Sequence, residues 1–257
     1  MDIKWYNNLI KSDIDGLIPL LDLFDSEEGF ILHFFKSVKF FNLEQVKKQA
    51  QFLLEQIEAG NKIPVRYSER SKTLFHHTKE DNIKGIGSKA FKNKKEAQGF
   101  SLLNEMFHKE TNIRICIDKD GNYHVKEQIF RATGYRVSQG NKSNLQNYVI
   151  SHVWGKTDNP LFFSSLWNII LVPNHLAFIL DKPDTNSEIV RKIKKAAKAI
   201  CFYLYNPNEL MKMVLIEENS FESDEIKWGG ELTQLLLKGK MISFIDSCVI
   251  YDIATMS

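Results

Sequence analysis

The chain has 257 residues, 43% of them hydrophobic and 26% charged, with a formal net charge of +2. That length is enough to bury a core without disulfides or a structural metal, and the ordinary globular composition excludes a disordered or collagen-like chain. A charge so near zero leaves any polyanion-binding surface to local clusters of basic residues.

Three widely spaced cysteines, Cys116, Cys201 and Cys248, form no CxxC pair. Free thiols in a reducing compartment are expected, without a structural zinc site. The N-terminal MDIKWYNNLIKSDIDG lacks a signal-peptide apolar run. No window approaches 18 uncharged apolar residues, so the expectation is a cytoplasmic protein without a membrane span.

In chain order, residues 13 to 59 are expected to be helical, with Gly16 and Pro19 interrupting DIDGLIPLLDLF. The clearest early helix is LEQVKKQAQFLLEQIEAG, preceded by Phe41 or Asn42. Leu43, Val46, Ala50, Leu53, Leu54 and Ile57 recur at helical spacing, and Gly60 stops it. Residues 60 to 98, with GIG at 85 to 87 and the basic FKNKKE, read as loops. GFSLLNEMFHKET reads as a short helix. RICIDKDGNYHV alternates apolar and polar residues across an Asp-Gly turn, which predicts a hairpin. Its DKDGN segment lacks a calcium-loop glutamate, because Ile129 stands at the twelfth position. EQIFRATGY predicts a helix ended by Gly134, and SQGNKSN a spacer.

Residues 148 to 182, YVISHVWGKTDNPLFFSSLWNIILVPNHLAFILDK, read as strand, irregular loop, strand and short helix. After Pro183, Thr185 and Glu188 form a capping-box pair. The following helix, EIVRKIKKAAKAICFYLY, carries Ile189, Ile193, Ala197, Ile200 and Leu204 on one face and Arg191, Lys192, Lys194, Lys195 and Lys198 elsewhere. GGELTQLLLKG predicts a further helix, and MISFIDSCVIYDIA a helix or strand. The fold class expected is α+β: mostly helical, with a hairpin and an embedded finger. Three regions are expected: 1–147 for recognition or dimerisation, 148–183 as the finger, and 184–257 as helices packed on the same core.

The finger carries the residues that point to chemistry. His152 ends its first strand, Asn168 opens the second sixteen residues later, and His175 starts the helix. A neutral imidazole is suited to take a proton from attacking water. IILVP is a β-branched, apolar run fit for a buried strand, and Asn174 suits a helix cap.

This order resembles the ββα-metal (HNH, His-Me finger) endonucleases, over about 35 residues. The resemblance implies that His152 is the general base and that Asn168 either ligates a cation or orients the histidine. It further implies that a residue on the helix, here His175, completes the metal site. Ser151 stands where many members place an acid, and Ala177 where many place the last ligand. A hard cation that keeps its waters is therefore expected, Mg2+ with Mn2+ as the alternative.

The function expected is a metal-dependent endonuclease cutting double-stranded DNA, of restriction or phage-defence type, with a homodimer suited to a palindromic site. Lys156, Lys182, Lys194, Lys195 and Lys198 are the candidate phosphate contacts. A ribonuclease toxin and a non-catalytic nucleic-acid-binding protein with a degenerate finger stand as alternatives. A solvated face over a buried isoleucine stripe accounts equally for the basic helix.

Overall fold

The computed structural model describes residues 23–24, 26–67, 75–76, 91–137, 145–181, 187–216, 223–238 and 242–245. The predicted helix over DIDGLIPLLDLF, the GIG run, the SQGNKSN spacer, Lys182, Thr185 and Cys248 lie wholly or mostly outside these residues.

Helix α1, Glu27–Ser37, starts at Ser26, whose hydroxyl accepts a hydrogen bond from the Gly29 amide at 3.0 Å. It ends in strand β1, Lys39–Phe41, so the helical stretch expected over 13 to 59 is broken by a strand. Helix α2, Leu43–Glu58, begins as the sequence predicts. Asn42 and Gln45 form a reciprocal capping box, with bonds of 3.0 and 2.9 Å. Strands β2, Ile63–Val65, and β3, Phe75–His76, follow.

Helix α3, Lys94–Leu103, takes up the basic run predicted to be a loop. Asn93 caps it by accepting from the Glu96 amide. The remainder of the predicted helix there is instead β4, Phe107–His108. Strand β5, Ile115–Ile117, pairs with β2 in parallel.

The hairpin predicted across Asp120 and Gly121 does not form; its second half is the first turn of helix α4, Tyr123–Thr133. Asp118 decides this. Its carboxylate accepts the backbone amides of Tyr123 at 3.0 Å and His124 at 2.9 Å, satisfying donors that a new helix leaves orphaned. Val125, Ile129 and Thr133 are then buried at a four-residue spacing. Gly134 ends α4 as expected, in the left-handed conformation at φ 76°.

Strands β6, Tyr148–His152, and β7, Ile169–Pro173, form an antiparallel pair joined by a long loop. Beyond β7 come a 3-10 turn over Asn174–Leu176 and α5, Phe178–Asp181. Helix α6, Glu188–Tyr205, matches its predicted span and buries Ile189, Ile193, Ala197 and Ile200. Helices α7, Pro207–Leu210, and α8, Ser223–Lys238, and strand β8, Ser243–Ile245, complete the described elements. The fold is α+β, as the sequence implies.

The main sheet runs β6-β7-β1-β8, with β1 and β7 antiparallel and β1 and β8 parallel. Strand β7 is interior, and Ile169, Ile170, Leu171 and Val172 have no exposed surface. One cluster of buried side chains runs from Phe30 to Ile245 and draws on all three sequence regions. Each fully buried large side chain in it contributes about 1.5–3 kcal/mol. A smaller cluster around Val65, Met106, Ile115 and Ile117 lies under α3. None of the described helices is long and apolar enough to cross a membrane.

Candidate active site

The loop from Val153 to Asn168 is the unusual part of the structure. Every residue from Asn159 to Asn168 is buried. A buried loop must pair its backbone groups by means other than a ladder. Asn168 does much of this. Its Oδ1 accepts from the Trp154 amide at 2.8 Å, and its Nδ2 donates to the carbonyls of Phe162 at 3.0 Å and Gly155 at 3.3 Å. The Asn168 carbonyl also accepts from the Val153 amide at 2.8 Å. Asn159 and Ser165 bond within the loop, and the Gln49 side chain of α2 accepts from the Leu166 amide at 3.1 Å. Gly155 and Lys156, both at positive φ, turn the chain.

This loop holds His152. The ring Nε2 lies 2.9 Å from the Phe163 carbonyl oxygen, so Nε2 carries the proton and donates it. The imidazole also stacks on the Phe163 ring, with centroids 5.7 Å apart and planes 8° from parallel. Burial pushes the pKa down to about 4, against the raising effect of the Phe163 bond, and the positive charge of Arg66 lowers it further. At neutral pH the ring is uncharged. Its Nδ1 has no hydrogen-bond partner among the described residues.

Arg66 is a residue that the sequence reading missed. Its backbone amide donates to the Thr157 carbonyl at 2.8 Å, which ties β2 to the loop. Its guanidinium donates to the Gly121 carbonyl at 2.9 Å and to the Asn122 Oδ1 at 2.6 Å. A fixed cation thus stands within electrostatic reach of His152. Its sequence context, IPVR inside a stretch read as loop, carries no signal for this.

The other predicted site residues are placed differently. Strand register pairs His152 with Ile169 but Tyr148 with Pro173, so His175 follows the opposite end of the hairpin. Four residues of strand separate those ends, about 13 Å. His175 is exposed there and is not brought to His152. The physical reason is the strand register: the turn that carries His175 leaves β7 at Pro173, opposite Tyr148 and not His152. Nor does Asn168 present a metal-ligating oxygen, because it is fully buried and its Oδ1 is taken by the Trp154 amide. Among the described residues no group of three His, Cys, Asp or Glu side chains is arranged to hold a metal ion. The described residues therefore do not fit the cation implied by the resemblance.

Of the basic candidates, Lys156 is exposed on the loop and its Nζ sits 4.8 Å from the Phe162 ring centroid. Lys195 is exposed on α6, with Lys194 and Lys198 half-buried beside it. Helix α6 itself packs on α8, α5 and the turn Leu166–Asn168. Lys192 of the same helix is paired with Glu27 at 2.8 Å and Glu188 at 3.3 Å.

A buried loop fixed by one amide side chain, a neutral histidine held by a backbone carbonyl and a fixed arginine define the site. The chain belongs to the protein family described as "Uncharacterised protein PM1201", which matches residues 41–237 and so contains the whole of this site. A relative, "Uncharacterized protein PM1201" of Pasteurella multocida (strain Pm70), is 27% identical over 184 residues, 70% of this chain and 69% of its own length. No solved structure matches the chain.

Proposed function

We propose that the protein is a nuclease that hydrolyses phosphodiester bonds in DNA, with His152 as the general base. One observation carries this reading: a neutral imidazole locked through Nε2, with Nδ1 unclaimed by any described protein group. A water beside Nδ1 would lose its proton to the ring as it attacks phosphorus, while the P–O bond to the leaving nucleoside oxygen breaks and that oxygen takes a proton from solvent water. The imidazolium then formed stays bonded to the Phe163 carbonyl. A pKa near 4 makes the free ring a weak base. A phosphate entering beside it favours the protonated form and raises that value. Arg66 supplies a fixed positive charge for the charge that builds on the phosphoryl oxygens. Asn168 acts as a positioning residue: it holds the carbonyls of Gly155 and Phe162, and Phe163 follows directly.

No step here runs through a cation. Magnesium and manganese enter as conditions of the assay. A nucleic-acid-binding protein without hydrolysis is favoured by one observation, the missing metal donor set among the described residues. Turnover on plasmid, single-stranded DNA and RNA, each with and without Mg2+ or Mn2+, separates these readings. Cleavage of DNA by the wild type and its loss in His152→Gln is the expected result. Binding without cleavage under every condition would leave only the second reading, and cleavage confined to RNA would move the chemistry to ribonuclease.

A further inference from the structure

A second histidine is oriented at a separate cavity. His124 Nδ1 lies 2.6 Å from Asp118 Oδ1, and the Asp118 side chain has no exposed surface. The same carboxylate accepts the amides of Tyr123 and His124. Burial opposes ionisation of Asp118, but the bonds from His124 and the two amides outweigh it and hold its pKa below the usual value. An ionised carboxylate accepts, so Nδ1 carries the proton and Nε2 is left without a described protein partner. A carboxylate that fixes one ring nitrogen leaves the other aimed for a ligand.

The His124 ring lines a cavity of about 270 Å³ between α2 and α4. Lys62 and Arg131 are on its wall, against the single carboxylate of Glu127. Lys62 is held in place by the carbonyls of Ser101, Leu102 and Asn104. Arg131 lies over the Phe52 ring, 5.5 Å from its centroid. The side chains that line the wall are thus net positive, and the ionised Asp118 behind the His124 ring offsets that charge. Gln56 and Gln128 add amides and Tyr123 an aromatic ring. The first two amides of α4, those of Tyr123 and His124, are taken by Asp118, so the side chains, and not the helix end, make the site.

We propose that this cavity binds a phosphomonoester of nucleotide size. Arg131 and His124 Nε2 contact the phosphate, and the amides and Tyr123 face the remainder. Ser164, on the same wall, directly follows the Phe163 that holds His152. The two sites therefore share a loop but no functional side chain.

The test is a titration of the full chain, labelled with 15N-histidine, with dAMP, ribose 5-phosphate, inorganic phosphate and adenosine. None of these has a phosphodiester bond, and the titration is run on His152→Gln as well as the wild type. Success or failure here is thus separate from that of the nuclease assay. The His124→Ala spectrum assigns the His124 signals, and melting curves confirm that each variant folds. Saturable shifts of His124 with dAMP and ribose 5-phosphate, at least tenfold weaker binding in Arg131→Ala and no response to adenosine are expected. No shift with either phosphomonoester, an equal response to adenosine, or unchanged affinity in Arg131→Ala overturns the site. Inorganic phosphate binding as tightly as dAMP overturns the assignment to a ligand of nucleotide size.

Discussion

Replacing Asn168 by aspartate separates a loop-holding asparagine from a metal-binding one. The new carboxylate would keep an oxygen for the Trp154 amide, but it has no donor for the carbonyls of Phe162 and Gly155. Both bonds are lost, and a carboxylate oxygen is left facing two carbonyl oxygens in a site with no exposed surface. Each lost bond costs about 0.5–1.5 kcal/mol, and the buried, poorly paired charge adds a few more, so Asn168→Asp should destabilise by about 3–5 kcal/mol at pH 7. Part of this returns on acidification, because a protonated carboxyl donates one of the missing bonds. Urea denaturation at pH 7 and pH 5 measures both effects. With the loop loosened, the Phe163 carbonyl no longer fixes His152, and turnover falls with stability. If Asn168 instead ligates a cation, aspartate is the stronger ligand. A variant as stable as wild type that binds Mg2+ more tightly would refute the loop-holding role.

Three further outcomes follow from the same geometry. Glutamine at 152 keeps an N–H for the Phe163 carbonyl but removes the base, so His152→Gln should fold with a melting temperature near wild type and lose about 100- to 10,000-fold in turnover. The His152 pKa is depressed from 6.5 to about 4 in the folded protein. The unfolded chain therefore binds the extra proton first. Stability that is fully present above pH 6.5 should decline from there to about pH 4 by up to about 3 kcal/mol, and a curve equally steep in His152→Gln would assign that decline to other groups. If α6 lies along a nucleic-acid backbone, substituting Lys194, Lys195 and Lys198 together should reduce the log–log salt slope of DNA binding by about 3, equally for all sequences. An unchanged slope would make this helix an ordinary solvated face.

What the sequence disclosed was whatever repeats within a few residues. Helix α2 was readable because its apolar positions keep helical spacing and Gly60 follows as a stop. The span of α6 was readable from its isoleucine stripe, and β7 from an unbroken apolar run. Strands β1, β2 and β5 have three residues each, too few to show alternation. They exist because partners far along the chain pair with them, as Lys39 with Leu171 and Ile63 with Ile115. Arg66 was hidden for the same reason: the β2–β5 pairing carries it to the Asp118–Asn122 turn, and its own amide bonds the loop at Thr157.

The candidate site was half legible, and the division has a chemical origin. His152 and Asn168 were singled out because their order in a strand, loop, strand and helix context resembles the ββα-metal endonucleases. Their roles were not identifiable, because both are fixed by backbone carbonyls, those of Phe163, Phe162 and Gly155. A carbonyl is present at every position and leaves no mark in a sequence. An asparagine that ligates a cation and one that holds a loop therefore look alike until the loop is seen. The distinction matters for the proposed mechanism: a ligand would act on a phosphate directly, whereas Asn168 would act only through the loop that holds His152. Gln49, which reaches the same loop from α2 through the Leu166 amide, likewise holds the loop beside His152, although nothing in its sequence neighbourhood suggests it.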